Sequence, residues 1–177
     1  KLYPDVGGDP SPVGPVWYTV VWERVWTASD HDVHMKQVDT NGVLRSASPT
    51  TLENTIVNTS HPRISKSDGR DAGTSSQFWG VVWQRTFSPT DEDIYGTYVS
   101  WDGQPLATGT FAVSIHSGDE HDPVVSSPTD EVGGTRHLLF AWSRYDTGTD
   151  WDIIAAYHAA NGFQRGVLNV KGSEEHT

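Results

Sequence analysis

Cysteine is absent from the chain, and methionine occurs once. Without cysteine there is no disulfide, no thiolate metal site and no cysteine nucleophile, and the redox compartment stays undetermined. Positive charge is scarce: 12 Lys and Arg stand against 23 Asp and Glu, a formal net charge of −11. So acidic a surface repels phosphate backbones and anionic lipid heads, so nucleic acid and membrane surfaces are poor partners. No apolar run approaches the roughly 20 residues that span a bilayer. No stretch shows a capped 3.6-residue period, so essentially no helix is expected. Nucleophile-elbow, zinc-protease, phosphate-loop, kinase and dinucleotide motifs are all missing. The first residue is Lys1, with neither Met nor a signal segment, which predicts a mature, processed or excised piece.

What is present is turn formers and aromatics: 17 Gly, 10 Pro and 8 Trp in 177 residues. That mix suits many short strands joined by tight turns. The length allows one domain that buries roughly 70% of its unfolded surface.

Three copies of one unit organise the chain. Trp22-Glu23-Arg24 is followed after five residues by Asp30-His31-Asp32-Val33. Trp83-Gln84-Arg85 leads in the same way to Asp91-Glu92-Asp93-Ile94, and Trp142-Ser143-Arg144 to Asp150-Trp151-Asp152-Ile153. Ten residues after each second Asp stands the Gly of Asn41-Gly42, Asp102-Gly103 or Asn161-Gly162. Pro4-Asp5-Val6, Pro62-Arg63-Ile64 and Pro123-Val124-Val125 open the units, about 3–61, 62–122 and 123–177. A period of about 60 residues with several matching positions is an internal repeat. Each unit reads as four strands. Strand A is short, after the Pro. Strand B, over 16–22, 78–83 and 137–142, is apolar on both sides and calls for cover on both. Strand C runs from the second Asp to the Asn-Gly or Asp-Gly turn, expected as type I′. Strand D is weaker, over 54–58, 111–115 and 166–170.

An all-β chain of three four-stranded antiparallel units, apolar on both faces, reads as blades of a β-propeller. The Pro-opened strand, the Asp-[Ile/Val] strand and the Asn/Asp-Gly turn also resemble TolB-type, WD40-like bacterial propeller repeats. The resemblance implies that the Pro strand is innermost and the Asp-Ile strand third. Its S-P-D-G turn survives only as Ser67-Asp68-Gly69 and Ser127-Pro128-Thr129-Asp130. Propellers close with about four to eight blades, and three would leave apolar sheets open at both ends. The expected partner is therefore a second copy, head to tail in a six-bladed ring, or the remaining blades of a longer chain. His61, His121 and His176 each precede a unit boundary and are expected in linkers.

The pairs Asp30/Asp32, Asp91/Asp93 and Asp150/Asp152 offer oxygen ligands for Ca²⁺. The full D-x-D-x-D-G ligand loop is absent, and equal spacing in every unit favours a structural role, each second Asp pairing with the Arg of its own unit. No cofactor is expected. His31 and His34 fall on opposite faces of a strand, which weakens a zinc reading. Asp5, Arg63 and Lys66 are the polar groups of the innermost strands. Trp22, Trp83 and Trp142 suit the core between blades. Trp26, Phe87 and Tyr145 enter the B–C loops, Trp101 sits at a hairpin tip and Trp151 inside an Asp-x-Asp. These five aromatics are the ligand-binding candidates, because a sugar needs an apolar platform beside acceptors for its hydroxyls. The reading that follows is a non-catalytic recognition or scaffold module, extracellular, cell-surface or periplasmic, binding glycan or protein. The competing class is part of a propeller enzyme such as a glycosidase, lyase or peptidase.

Overall fold

The computed structural model describes residues 1–9, 15–68, 77–130, 136–145, 151–159 and 164–171, and among these there is no helix. Three antiparallel sheets follow one another along the chain, and none closes into a barrel. Sheet 1 holds β1 (Leu2–Gly8), β2 (Trp17–Thr27), β3 (Asp30–Asp39) and β4 (Thr50–Glu53), in that spatial order. Sheet 2 repeats the order with β5 (Asn58–Ile64), β6 (Phe78–Ser88), β7 (Asp91–Ser100) and β8 (Phe111–Ser114). In sheet 3, β9 (Asp119–Val125) and the two-residue β10 (Thr129–Asp130) share one edge of β11 (Arg136–Tyr145). Beyond β11 lie β12 (Trp151–Ala159) and β13 (Gln164–Lys171).

Strand alternation gives each sheet two faces. One carries the repeated tryptophan and is called the Trp face below; the other is the reverse face. The Trp face of each following sheet packs on the reverse face of the sheet before it. Ile64, Trp79, Val81 and Trp83 of sheet 2 meet Val21, Val33 and Met35 of sheet 1 in one cluster. Leu138, Phe140 and Trp142 of sheet 3 meet Phe78, Val82 and Tyr98 of sheet 2 in a second. Each large side chain so buried contributes about 1.5–3 kcal/mol. Close approach needs small residues at the seam: a Cβ on Gly7 would come 2.3 Å from the Ser65 carbonyl and 2.9 Å from the Trp79 ring. Trp83 and Trp142 are buried between sheets as expected, whereas Trp22, which no sheet among the described residues covers, is half-buried.

Four local expectations are corrected. The first strand of each unit is not short but seven residues long, and in sheets 2 and 3 it begins four residues ahead of the Pro. The residue before each Pro takes a left-handed conformation, with φ of 48° at Tyr3 and 52° at His61 and Asp122. That is uncommon for a non-Gly residue and more so before Pro. At each of the three, the pairing register shifts, so the residue forms a bulge that lets the strand continue through the Pro. His61 and His121 therefore lie inside strands, not in linkers; His176 is outside the described residues. The turns after β3 and β7 are not type I′, because only Gly42 and Gly103 have positive φ. Gly42 N donates to Asp39 O and Asp39 N to Val43 O, a three-residue loop ending on a glycine bulge. Asn161-Gly162 is outside the described residues. Finally, the fourth strand of sheet 1 is β4 and not 54–58, whose Ile56 is almost wholly exposed.

Candidate functional site

β11 ends at Tyr145 and β12 begins at Trp151, and the two residues are directly opposed across the ladder. On the other side of β11, Tyr145 opposes Asp119 of β9. Register alone thus sets a carboxylate, a phenol and an indole in one row at the loop end of sheet 3. The rings of Tyr145 and Trp151 are 5.3 Å apart at 48°, and 39% and 46% of their residues' surface is exposed. With Thr90, Ser117, Gly118 and Asp119 they line a hollow of about 490 Å³ between the ends of sheets 2 and 3. That volume is in the range of ligand pockets.

Behind the hollow Asp119 is held in a polar network. His121 Nε2 lies 2.8 Å from Asp119 Oδ2 and His121 Nδ1 3.1 Å from Glu92 Oε2. Thr86 Oγ1 donates to Glu92 Oε1 at 2.8 Å, and Gln84 Nε2 donates to Glu92 Oε2. Trp151 lies against the imidazole, with ring centroids 5.2 Å apart. Glu92, Asp119 and His121 are the one close group of three metal-ligand types among the described residues. The two carboxylates, however, engage opposite nitrogens of one ring. A single ion reaches only one imidazole nitrogen, so the group is built as an internal clamp that orients Asp119. The histidines of sheet 1 also fail to converge. His31 Nδ1 lies 2.8 Å from the buried Glu23, while His34 stacks on Trp22 on the opposite face.

The other aromatic candidates are already engaged within the fold. Trp26 donates its indole N–H to Asp32 Oδ2 at 2.6 Å, and the Arg24 guanidinium covers its ring at 3.6 Å. Trp101 donates to Asp9 Oδ2 at 3.2 Å and packs against the core between sheets 1 and 2. Phe87 is exposed, 6.3 Å from Tyr95 and apart from the hollow.

The Asp-x-Asp residues do not share one role. Register opposes Arg24 to Asp32, Arg85 to Asp93 and Arg144 to Asp152, as the repeat suggests. Yet Arg85 makes its ion pair with Glu53 of sheet 1, and Asp93 accepts from the His116 N–H at 3.2 Å. Burial holds the Asp93 carboxyl above its ordinary pKa, more than the nearby Arg85 lowers it. Asp152 accepts from Asn169 Nδ2 at 3.4 Å. Asp30 and Asp91 are half-buried, and Asp150 is outside the described residues. On the first strands, Asp5, Arg63 and Lys66 do come together, around a hollow of about 250 Å³ with Ile64, Val124 and Val125. Asp5 is consumed there by the Lys66 ammonium and the Ile64 N–H.

One buried acid went unnoticed in sequence. Glu120 is fully enclosed, and burial pushes its carboxyl up to about 7 despite hydrogen bonds from Ser114 and Trp142. Asp119, Thr90, Ser117 and Gly118 were also missed; the signal for Asp119 was the acidic run Asp119-Glu120-His121-Asp122 just ahead of a unit boundary. No family model, no curated protein and no solved structure matches this chain.

Proposed function

We propose that the chain is a propeller-type recognition module that binds a saccharide against Tyr145 and Trp151. The observation carrying this reading is the pair of half-exposed rings facing a hollow edged by the Asp119 carboxylate. Ring faces take the apolar side of a pyranose, and Thr90 and Ser117 on the rim supply donors and acceptors for its hydroxyls, with the Asp119 carboxylate, whose Oδ1 is enclosed, adding negative charge behind them. The Glu92–His121 clamp fixes Asp119, which lowers the cost of ordering it around a ligand. Propeller character is supported by three successive sheets of like strand order, stacked face on face. The enzyme reading draws no comparable support: Glu120 is the carboxyl held near neutrality, and no ligand reaches it.

Glycan-array screening followed by tryptophan-fluorescence titration tests the proposal. Trp151→Ala and Tyr145→Ala should each weaken a saccharide hit by about tenfold or more, as expected for the loss of a stacking ring worth about 1.4 kcal/mol. Trp26→Ala should leave the affinity unchanged. No saccharide response from the folded chain, or equal loss from all three variants, overturns it.

A further inference from the structure

The repeat makes the two end faces of the chain readable as halves of an interface it already forms twice. At both internal seams the Trp face of one sheet covers the reverse face of the preceding one. Among the described residues no sheet precedes sheet 1 and none follows sheet 3. On the Trp face of sheet 1, Tyr18 and Val6 are 44% and 48% exposed. Their equivalents in sheet 2, Trp79 and Ile64, are both completely buried. On the reverse face of sheet 3, Tyr157 and Ile153 are 40% and 39% exposed, whereas their sheet 2 equivalents, Tyr98 and Ile94, are completely buried. The hollow beside Trp22, formed with Lys1, Leu2, Pro4 and Val20, marks where the missing neighbour would sit. Each end therefore presents the half that the other end lacks.

We propose that a second copy of this chain docks head to tail, the Trp face of sheet 1 of each copy lying on the reverse face of sheet 3 of the other. Two different surfaces meet at such a seam, so the contact is heterologous, and two copies close it when both seams form at once. The occupant is a second copy because one molecule supplies both halves, and each half repeats a seam already present inside the chain. Six stacked sheets result, within the range in which propellers close. The contact is apolar between two chains that each carry −11, so added salt should strengthen it by screening their repulsion. The proposal stands on the seams and not on the saccharide reading; Tyr145 and Trp151 lie on this same reverse face of sheet 3, so the two are told apart by their assays, sedimentation reading the seam and titration the saccharide.

Sedimentation velocity of the 177-residue chain across concentration is the test, with Tyr18→Asp and Tyr157→Asp as single-face variants. The unsubstituted chain should run at twice its 19.5 kDa mass. Each variant alone should run as a monomer. Mixed one to one, the two variants should regain a paired species, since one carries an intact Trp face and the other an intact reverse face. Both side chains are about half exposed, so an unchanged β-type circular dichroism spectrum is expected; Val6→Asp and Ile153→Asp serve as a second pair. A monomer at all concentrations overturns the proposal. So does pairing by either single variant, a mixture that stays monomeric, or masses that grow without limit.

Discussion

Glu120 is the position where the structure makes its most quantitative statement about stability. Its side chain is completely enclosed. Oε1 accepts from Ser114 Oγ at 2.7 Å and from the Trp142 indole at 2.8 Å, while Oε2 has no hydrogen-bond partner. Burial is the largest cause of its raised pKa; Asp93 adds repulsion, and the two hydrogen bonds and Arg144 oppose it. The carboxyl loses its proton at about 7 in the folded chain instead of 4.5. At about 1.4 kcal/mol per pH unit, the folded state is weakened by about 3 kcal/mol once both states are ionised. Below pH 4.5 the folded and unfolded chains both carry the proton, and that stability is fully present. Between 4.5 and 7 only the unfolded chain releases it, so stability falls as pH rises, and above 7 the loss is complete. Glu120→Gln removes this titration. Urea unfolding of both proteins from pH 4 to 9 should therefore show the variant gaining on the native chain by about 3 kcal/mol across the window. The amide brings its own constant offset, because its N–H₂ faces the place where Oε2 had no partner. A constant does not change with pH, so only the pH-dependent part is diagnostic. A difference flat from pH 4 to 9 would refute the reasoning.

The seam between sheets 1 and 2 is predicted to depend on Glu53, which receives Arg85 of β6 and, at 3.1 Å, Thr110 just ahead of β8. Glu53→Ala strands a largely buried guanidinium and should lower unfolding stability by about 3–5 kcal/mol; a loss below 1 kcal/mol in denaturant melts counts against the pair. His34 should act on the pH profile in the sense opposite to Glu120. Burial and the Arg24 charge lower its pKa from 6.5, more than Asp32 raises it. The unfolded chain takes a proton first, so this component is fully present above pH 6.5 and is lost as pH falls below it. His34→Gln removes this rise, so the native chain should gain stability relative to the variant as pH increases from 5 to 7, with Lys1, Arg24 and Asp32 left to face the site. Profiles of equal slope for the two proteins would argue that His34 is not buried as described.

Strand content and sheet order were legible because they rest on patterns repeated three times. The W-x-R and D-x-D offsets fix two long strands per unit, and β2–β3 and β6–β7 pair as those offsets require. The first strands were read too short for a specific reason. A Pro marks a break by its fixed φ and missing N–H, and nothing local shows that Tyr3, His61 and Asp122 absorb the break as left-handed bulges. In sheet 1, the fourth strand was misplaced because Thr55, Ile56 and Val57 have the right composition for a strand. The chain there instead turns, with Thr55 Oγ1 bonded to Val57 O and N. The site was half legible. Tyr145 and Trp151 stand out as aromatics, but Asp119 joins them only through the β9–β11 register, which no local pattern carries.

The repeat also separates what holds the sheets from what distinguishes them. Trp83 and Trp142 occupy one strand position and do one job, filling the seam in front of their sheet. Where the three units depart from each other, the chemistry departs too. The residue opposite the third position after the repeated Trp is His31 against Val25 in sheet 1, Glu92 against Thr86 in sheet 2 and Trp151 against Tyr145 in sheet 3. In sheet 1 that residue pairs with the buried Glu23, and in sheet 2 it anchors the His121 clamp. Only in sheet 3 does it turn an aromatic ring toward an open hollow. A role shared by all three units would have kept one residue type there, as the seam tryptophans do. The divergence at this one cross-strand pair is therefore what favours sheet 3 for the proposed saccharide site, while equivalent positions in the other two sheets serve the fold.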